Sequence, residues 1–446
     1  MTEGGLQAPK RHPIAWQDPD FYDPAKVEAE LRRVFDICHG CRRCFNLCDS
    51  FPRLFDLIDE SSSGELDGVA SKDFGRVVEA CTLCDMCFLT KCPYVPPHAF
   101  DLDFPHLMLR ARAAEARQHG VPLASRELAR RDRNGRIAGA IAPLANWASA
   151  TGNTLTRPLL ERVAHVHRAA ELPRFSARSL VAEARRNVPE VDRTAPAYGR
   201  KAVLYATCFV NYNDPAVGLA TRAVLARNGV ATEIVYPGCC GMPLLELGEI
   251  DQVAEAARTV AGALRKWIDD GYDVIALVPS CALMLKFEWP LILPDDENVG
   301  RLARSTSDVS EYIVAIARNE GLAGGMKPIG GGVAVHIACH ARAQNMGQKA
   351  AEMLRLLPEA DVQVVERCSG HGGSWGCRTE NFETALKIGR PVAKQMQDAG
   401  KSFITSECPL AGLHIQQGID RLGSEARPTL VRHPIQLLAR AYGIGA

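Results

Sequence analysis

Cys38, Cys41, Cys44 and Cys48 are followed by Cys81, Cys84, Cys87 and Cys92, two near-copies of Cys-x-x-Cys-x-x-Cys-x(3 or 4)-Cys. Two-residue spacers let three thiolates wrap one face of an iron–sulfur cubane while the intervening backbone amides point at its sulfides, and in paired motifs the fourth ligand comes from the other copy. The spacing therefore assigns Cys38, Cys41, Cys44 and Cys92 to one [4Fe–4S] cluster, and Cys81, Cys84, Cys87 and Cys48 to a second. A pair of zinc sites is the alternative, but zinc sites pair cysteines in twos and rarely use a third at the next two-residue interval. Asp49 stands where a proline usually follows the fourth cysteine, and the last spacer of the second copy has four residues. Both departures bear on loop shape more than on ligation.

A second set of thiols sits in the carboxyl-terminal half. Apolar runs AVLYA, TEIVY, VIALV, GVAVHIA, VQVVE and SFIT alternate with longer helical patterns, which reads as α/β. Three strands per unit each end at a cysteine: Cys208, Cys239-Cys240 and Cys281, then Cys339, Cys368 and Cys408. The offsets are 131, 129 and 127 residues (339−208, 368−239, 408−281), which signals a duplicated unit. Ligands at the carboxyl ends of parallel strands converge where open α/β sheets bind cofactors. The first unit supplies four thiols, enough for a third cluster. The second has CSGHGG opposite CCGMP, so Ser369 replaces a cysteine, and its candidate ligands are Cys339, Cys368 and Cys408 with His336, His340 and His371. It could hold a cluster, another metal or nothing; each histidine alone also suits a hydrogen-bonded loop position. Cys377 fits neither register and reads as structural.

These sites need elements to carry them. Asp23-Pro24 is suited to start a helix over AKVEAELRRVF, which delivers the chain to Cys38. The expected domains are an α-helical two-cluster module at 1–109, an arginine-rich helical connection at 110–200, and α/β units at 201–325 and 326–446, an α+β and α/β multidomain chain. Within the connection, the stretch between Arg136 and Arg157 carries no charge, and Ile137, Ile141, Leu144 and Trp147 could form one apolar stripe. Flanking arginines suit an anionic membrane surface, where quinone could be met; a helix packed on the protein's own core is the alternative. Equal numbers of basic and acidic residues, 52 each, give no global argument for nucleic acid. The absence of an apolar leader and of a spanning segment makes a reducing cytoplasm the expected compartment, where sixteen cysteines suit metal better than disulfides.

CCGMPLLELG, VPSCALMLKFEWP, HIACHARAQNMG, ERCSGHGG, TCFVNYNDP and CTLCDMCFLTKCPYVPPHAFDLDFPHLMLR resemble the CCG-domain iron–sulfur family of heterodisulfide-reductase-type proteins, in particular its anaerobic glycerol-3-phosphate dehydrogenase branch. The resemblance covers nearly the whole chain. It implies a two-cluster ferredoxin-like module followed by a duplicated CCG pair. It also implies a subunit that takes electrons from a flavoprotein dehydrogenase or similar partner and passes them toward the quinone pool at the inner face of the membrane. Full heterodisulfide-reductase units end in Cys-x-x-Cys and build a non-cubane cluster; Met284 and Ala411 stand at those last positions here, which puts that chemistry and disulfide cleavage in doubt. The CSGH form is normal for the glycerol-3-phosphate dehydrogenase branch. No residue pattern argues for an acid–base active site. The reading is an electron relay, with two alternatives: a thiol/disulfide or peroxide-linked reductase at the CCG metal site, and a zinc scaffold.

Overall fold

The computed structural model describes residues 8–423 and 427–445. The expected first helix spans Pro24–Cys41, with the Asp23 side chain accepting the Lys26 N–H and Val27, Leu31, Val34 and Phe35 on its buried face. It stops inside the first cysteine motif, where Arg42 turns left-handed and donates its N–H to the Cys38 carbonyl at 2.8 Å. Phe35 meets Phe74 edge-on at 5.1 Å and Phe51 lies 4.6 Å from Phe104, an aromatic core that fixes the helices around both motifs. The extra residue in the last spacer is absorbed as one π-helical turn over Cys87–Lys91, closed by the Cys92 N–H on the Cys87 carbonyl at 2.8 Å.

Two parallel sheets follow. The first contains β1 (Lys201–Tyr205), β2 (Ala231–Val235), β3 (Asp273–Ala276) and β4 (Thr306–Asp308) in the order β2-β1-β3-β4. The second contains β5 (Val333–His336), β6 (Val362–Val365), β7 (Phe403–Ser406) and β8 (Thr429–Val431) in the order β6-β5-β7-β8. The six apolar runs are β1 to β3 and β5 to β7, so the duplication is real. The three-strand unit is corrected to four: β4 and β8 are three residues each and TSD and TLV carry no apolar run to betray them. In each order the chain reverses direction beside the first strand, leaving a crevice at the carboxyl ends of β1 and β3, and of β5 and β7.

The uncharged stretch is not one helix. It divides into Arg131–Ala140 and Ala142–Ser149, with Pro143 at the start of the second. Ile137, Ile141, Leu144 and Trp147 are 57%, 48%, 58% and 53% exposed, so the core-packed alternative does not hold. Among the described residues no helix is long and apolar enough to cross a membrane. One apolar core runs from Ile14 through both cysteine motifs and the first sheet to Ile435 at the back of the second. The segment before the first helix straps these parts together, Lys10 N–H to the Pro96 carbonyl, Ile14 N–H to Leu291 and the Trp16 indole N–H to Ile292.

Candidate metal centres

The eight amino-terminal thiols lie in two neighbourhoods. Cys38 interacts with Cys92, Cys44 and Cys41, whereas Cys48 interacts with Cys84 and Cys81, and Cys87 with Cys81, Cys84 and Cys48. The sets adjoin at Cys44 and Cys87. Burial first, then the neighbouring thiols, pushes Cys38, Cys48 and Cys87 well up and Cys44 to about 12. Cys81 rises to about 11 through burial, against the pull of Arg112.

A shared backbone device answers that cost. At Cys368 the N–H two residues on, from Gly370, donates to the sulfur at 3.4 Å, and the equivalent N–H groups of Ser50, Leu83, Met86, Tyr94 and Gly241 favour the thiolate at Cys48, Cys81, Cys84, Cys92 and Cys239. In the second motif this wrap requires left-handed backbone at Leu83 and Asp85, φ 47° and 62°. These are the amides expected to face a cluster. Desolvated thiols pressed together, compensated in part by amide dipoles and by Arg112, Arg43 and Lys91, are deprotonated when a cationic centre sits among them, so the donor set fits iron–sulfur.

All six strand-end cysteine sites stand beyond the carboxyl tips. Cys208 opens the turn after β1; Thr207 before it is held at φ 52° and caps that turn by accepting the Val210 N–H. A β-branched residue there is strained, at a cost of about 1–3 kcal/mol, which the turn's delivery of Cys208 accounts for. Cys208 and Cys239 lie 3.8 Å apart, sulfur to sulfur, and Cys240 and Cys281 3.2 Å. The Trp289 indole donates to the Cys240 carbonyl at 3.1 Å and pins the double-cysteine turn.

The second unit is arranged differently. Cys368 and Cys84 are the thiols that act most strongly on Cys339, so two thiols of this unit face the second amino-terminal set. The thiol whose charge acts on Cys408 is Cys281, in the first unit. His336 is not free to ligate: it is buried, with Nδ1 on the Ser406 hydroxyl at 2.9 Å and Nε2 on the Arg367 carbonyl at 3.0 Å. His340 Nδ1 pairs with the Ser280 hydroxyl at 3.0 Å. His371 is pushed down to about 3 by burial, its Nε2 has no partner among the described residues, and its ring lies 6.1 Å from His414. Cys377 donates to the Ser374 carbonyl, away from these groups. Among the described residues no three His, Cys, Asp or Glu side chains converge as a single metal ion requires.

Three contributors escaped the sequence. Asp132 accepts from the Cys239 N–H at 3.2 Å and from the Tyr236 hydroxyl. Arg112 donates to the Cys81, Val78 and Glu246 carbonyls, tying the second motif to the first unit. Arg11 is joined to Asp85 inside the second motif. Each acts on cysteines about 70 or more residues away, or through backbone, and neither leaves a local pattern.

The Cysteine-rich domain (CCG) family model matches residues 202–286 and 333–416. The C subunit of anaerobic glycerol-3-phosphate dehydrogenase from Escherichia coli (strain K12) is 27% identical over 317 residues, 70% of this chain and 76% of the relative. The B subunit of fumarate reductase (CoM/CoB) from Methanothermobacter marburgensis is 26% identical over 250 residues, 55% of this chain and 47% of the relative. Lactate utilization protein A of Bacillus cereus (strain G9842) is 26% identical over 239 residues, 51% of this chain and 95% of the relative. The matched spans begin on β1 and β5 and take in every strand-end cysteine, so each sheet carries one match to the CCG cysteine-rich domain.

Proposed function

We propose that the chain is an iron–sulfur electron-transfer subunit relaying electrons between a flavoprotein dehydrogenase or similar redox partner and a terminal acceptor such as the quinone pool. Two [4Fe–4S] clusters belong to Cys38, Cys41, Cys44 and Cys92 and to Cys81, Cys84, Cys87 and Cys48; Cys208, Cys239, Cys240 and Cys281 hold a further one. The observation that carries the reading is the gathering of thiols: Cys208 with Cys239 at 3.8 Å and Cys240 with Cys281 at 3.2 Å, and a succession of thiols that act on one another electrostatically, Cys44 with Cys87, Cys84 with Cys339 and Cys368, and Cys408 with Cys281. Bound clusters supply one-electron redox centres along that line. The protein ligates them, buries them and aims N–H groups at their sulfurs, which sets their potentials.

The first set lies nearest solvent, with Arg42, Arg43 and Lys91 exposed around it and Phe45 56% exposed, which suits the docking of a redox partner. At the other side a cavity of about 1370 Å³ is lined by Cys81, Thr82, Arg112 and Glu246, and also by Leu123 and Val163. The last two are exposed, as are Leu159 on the same helix as Val163 and Trp147 on the neighbouring one. A quinone entering from an anionic bilayer along these residues would take two electrons and two protons to become the quinol. Anaerobic iron and acid-labile sulfide counts with spin-resonance spectra test the clusters; zinc without sulfide would end the reading. Co-sedimentation with anionic liposomes, lost in Trp147→Glu, tests the membrane arm, and no co-sedimentation of the intact chain removes it.

A second reading, a thiol/disulfide reductase at the second unit, is favoured by Cys368, which the Cys339 thiol and the Gly370 N–H hold down to about 7. Disulfide-dependent cluster signals without any redox partner distinguish it from the relay.

A further inference from the structure

Arg11, in the strap that precedes the first helix, lies with its side chain only 12% exposed among acids from three separate parts of the chain. Its guanidinium holds Asp85 with two bonds of 2.6 and 2.8 Å, Asp103 at 2.8 Å and Glu288 at 3.0 Å, and it lies 4.6 Å from the centre of the Phe88 ring. Asp85 sits between Cys84 and Cys87, in left-handed backbone that a non-glycine residue keeps only when its surroundings hold it. Glu288 lies just beyond β3, where the π-helical turn Met284–Glu288 follows Cys281, and its other oxygen meets His106 at 3.1 Å. The fixed fork of the guanidinium thus spans the second cysteine motif and the first CCG unit, a geometry that a lysine ammonium cannot reproduce.

We propose that Arg11 is a positioning residue that sets the reduction potential of the cluster held by Cys81, Cys84, Cys87 and Cys48, by clamping the Cys84–Cys87 loop through Asp85 and by placing a permanent positive charge beside it. This rests on the reading that those cysteines carry a cluster. A reduced cluster is one charge more negative than an oxidised one, so a buried cation stabilises the reduced form and raises the potential, and its removal exposes the cluster to the carboxylates it had compensated. Burial is what gives the effect size, because solvent screens surface charges and not this one.

The experiment is an anaerobic redox titration of the intact chain followed by spin resonance. Arg11→Gln is expected to lower the midpoint of that cluster, cutting its reduced-to-oxidised ratio at a fixed potential about tenfold, which is 59 mV for a one-electron couple. Glu288→Gln removes a negative charge from the same cage and is expected to move the midpoint the other way. Arg11→Lys restores the charge but not the fork, and falls between wild type and Arg11→Gln. The cluster held by Cys38, Cys41, Cys44 and Cys92 keeps its midpoint throughout. A merely structural role would shift Arg11→Gln and Glu288→Gln in the same direction or not at all, and either result overturns the proposal. Should Arg11→Gln fail to accumulate, Arg11→Lys decides: a lowered midpoint supports the inference and an unmoved midpoint sinks it. An intact chain without iron overturns the functional reading itself, whereas iron with unmoved midpoints overturns only the role of Arg11.

Discussion

The two CCG units share one scaffold and differ in what they put on it. Both are four-stranded parallel sheets of the same order, with thiols beyond the same three strands. In the first, Cys208, Cys239, Cys240 and Cys281 close on one another as two sulfur pairs. In the second, Ser369 occupies the place of a cysteine, Cys339 and Cys368 turn to Cys84 of the amino-terminal motifs, and Cys408 to Cys281. A strand tip is a position that duplication copies faithfully, whereas the partner a tip faces is decided by what packs against it. The thiols of the first unit therefore gather chiefly on one another, and those of the second face other parts of the chain.

The largest consequence follows for metal content. Cys240→Ala removes a buried thiol from the first unit's set, and iron and sulfide per chain are expected to fall by one cluster's worth, with the amino-terminal signals unchanged. In the second unit, Cys339→Ala is expected to leave the first unit's iron in place and to change the spectrum of the cluster held through Cys84, since it deletes a neighbour of that ligand. If both substitutions removed the same iron, the two units would form one site and the distinction would be lost.

A second consequence concerns stability at equivalent backbone positions. Gly241 and Gly370 each follow the strand-end turn in left-handed backbone, φ 81° and 76°. A Cβ on Gly241 finds ordinary contact with Val253 at 3.5 Å, so Gly241→Ala costs only the backbone strain, about 1 kcal/mol. On Gly370 it would run into the Ala385 carbonyl, adding an overpacking term of about 1–3 kcal/mol. Thermal unfolding of the two variants measures the difference, and Gly370→Ala is expected to melt lower.

How legible all this is in the sequence depends on range. The cysteine spacers and the strand-end register are local patterns, a spacer of two residues or a run of apolar residues ending at a thiol, and the structure places the strand-end thiols beyond their strands as the register requires. β4 failed because Thr306–Asp308 owes its place to pairing with β3, and its sequence has no strand signature. The contact between Cys84 and Cys339 joins residues 255 positions apart in sequence (339−84) and is set by docking alone. His336 was a candidate because of its type and its place at the end of β5; burial against Ser406 and Arg367 took both nitrogens. The apolar stripe around Trp147 was visible, but only the fold could say that it faces outward.

The smallest expected effect lies where the two units touch. The Glu246 carboxylate follows the double-cysteine turn of the first unit and packs on Gly373 of the second, and burial, opposed by Arg112 and Arg131, raises its pKa to about 7. In the unfolded chain an ordinary glutamate titrates near 4.3. Between those two values the folded state holds a proton that the unfolded state has released, so stability declines as pH rises from about 4.3 to about 7 and is flat beyond. Glu246→Gln keeps the shape and abolishes that penalty. It is expected to leave the melting temperature unchanged near pH 4 and to raise it at pH 8, by a stabilisation of order 1–3 kcal/mol. Equal melting of variant and wild type at pH 8 would mean that the carboxylate is solvated there and that the units do not close over it.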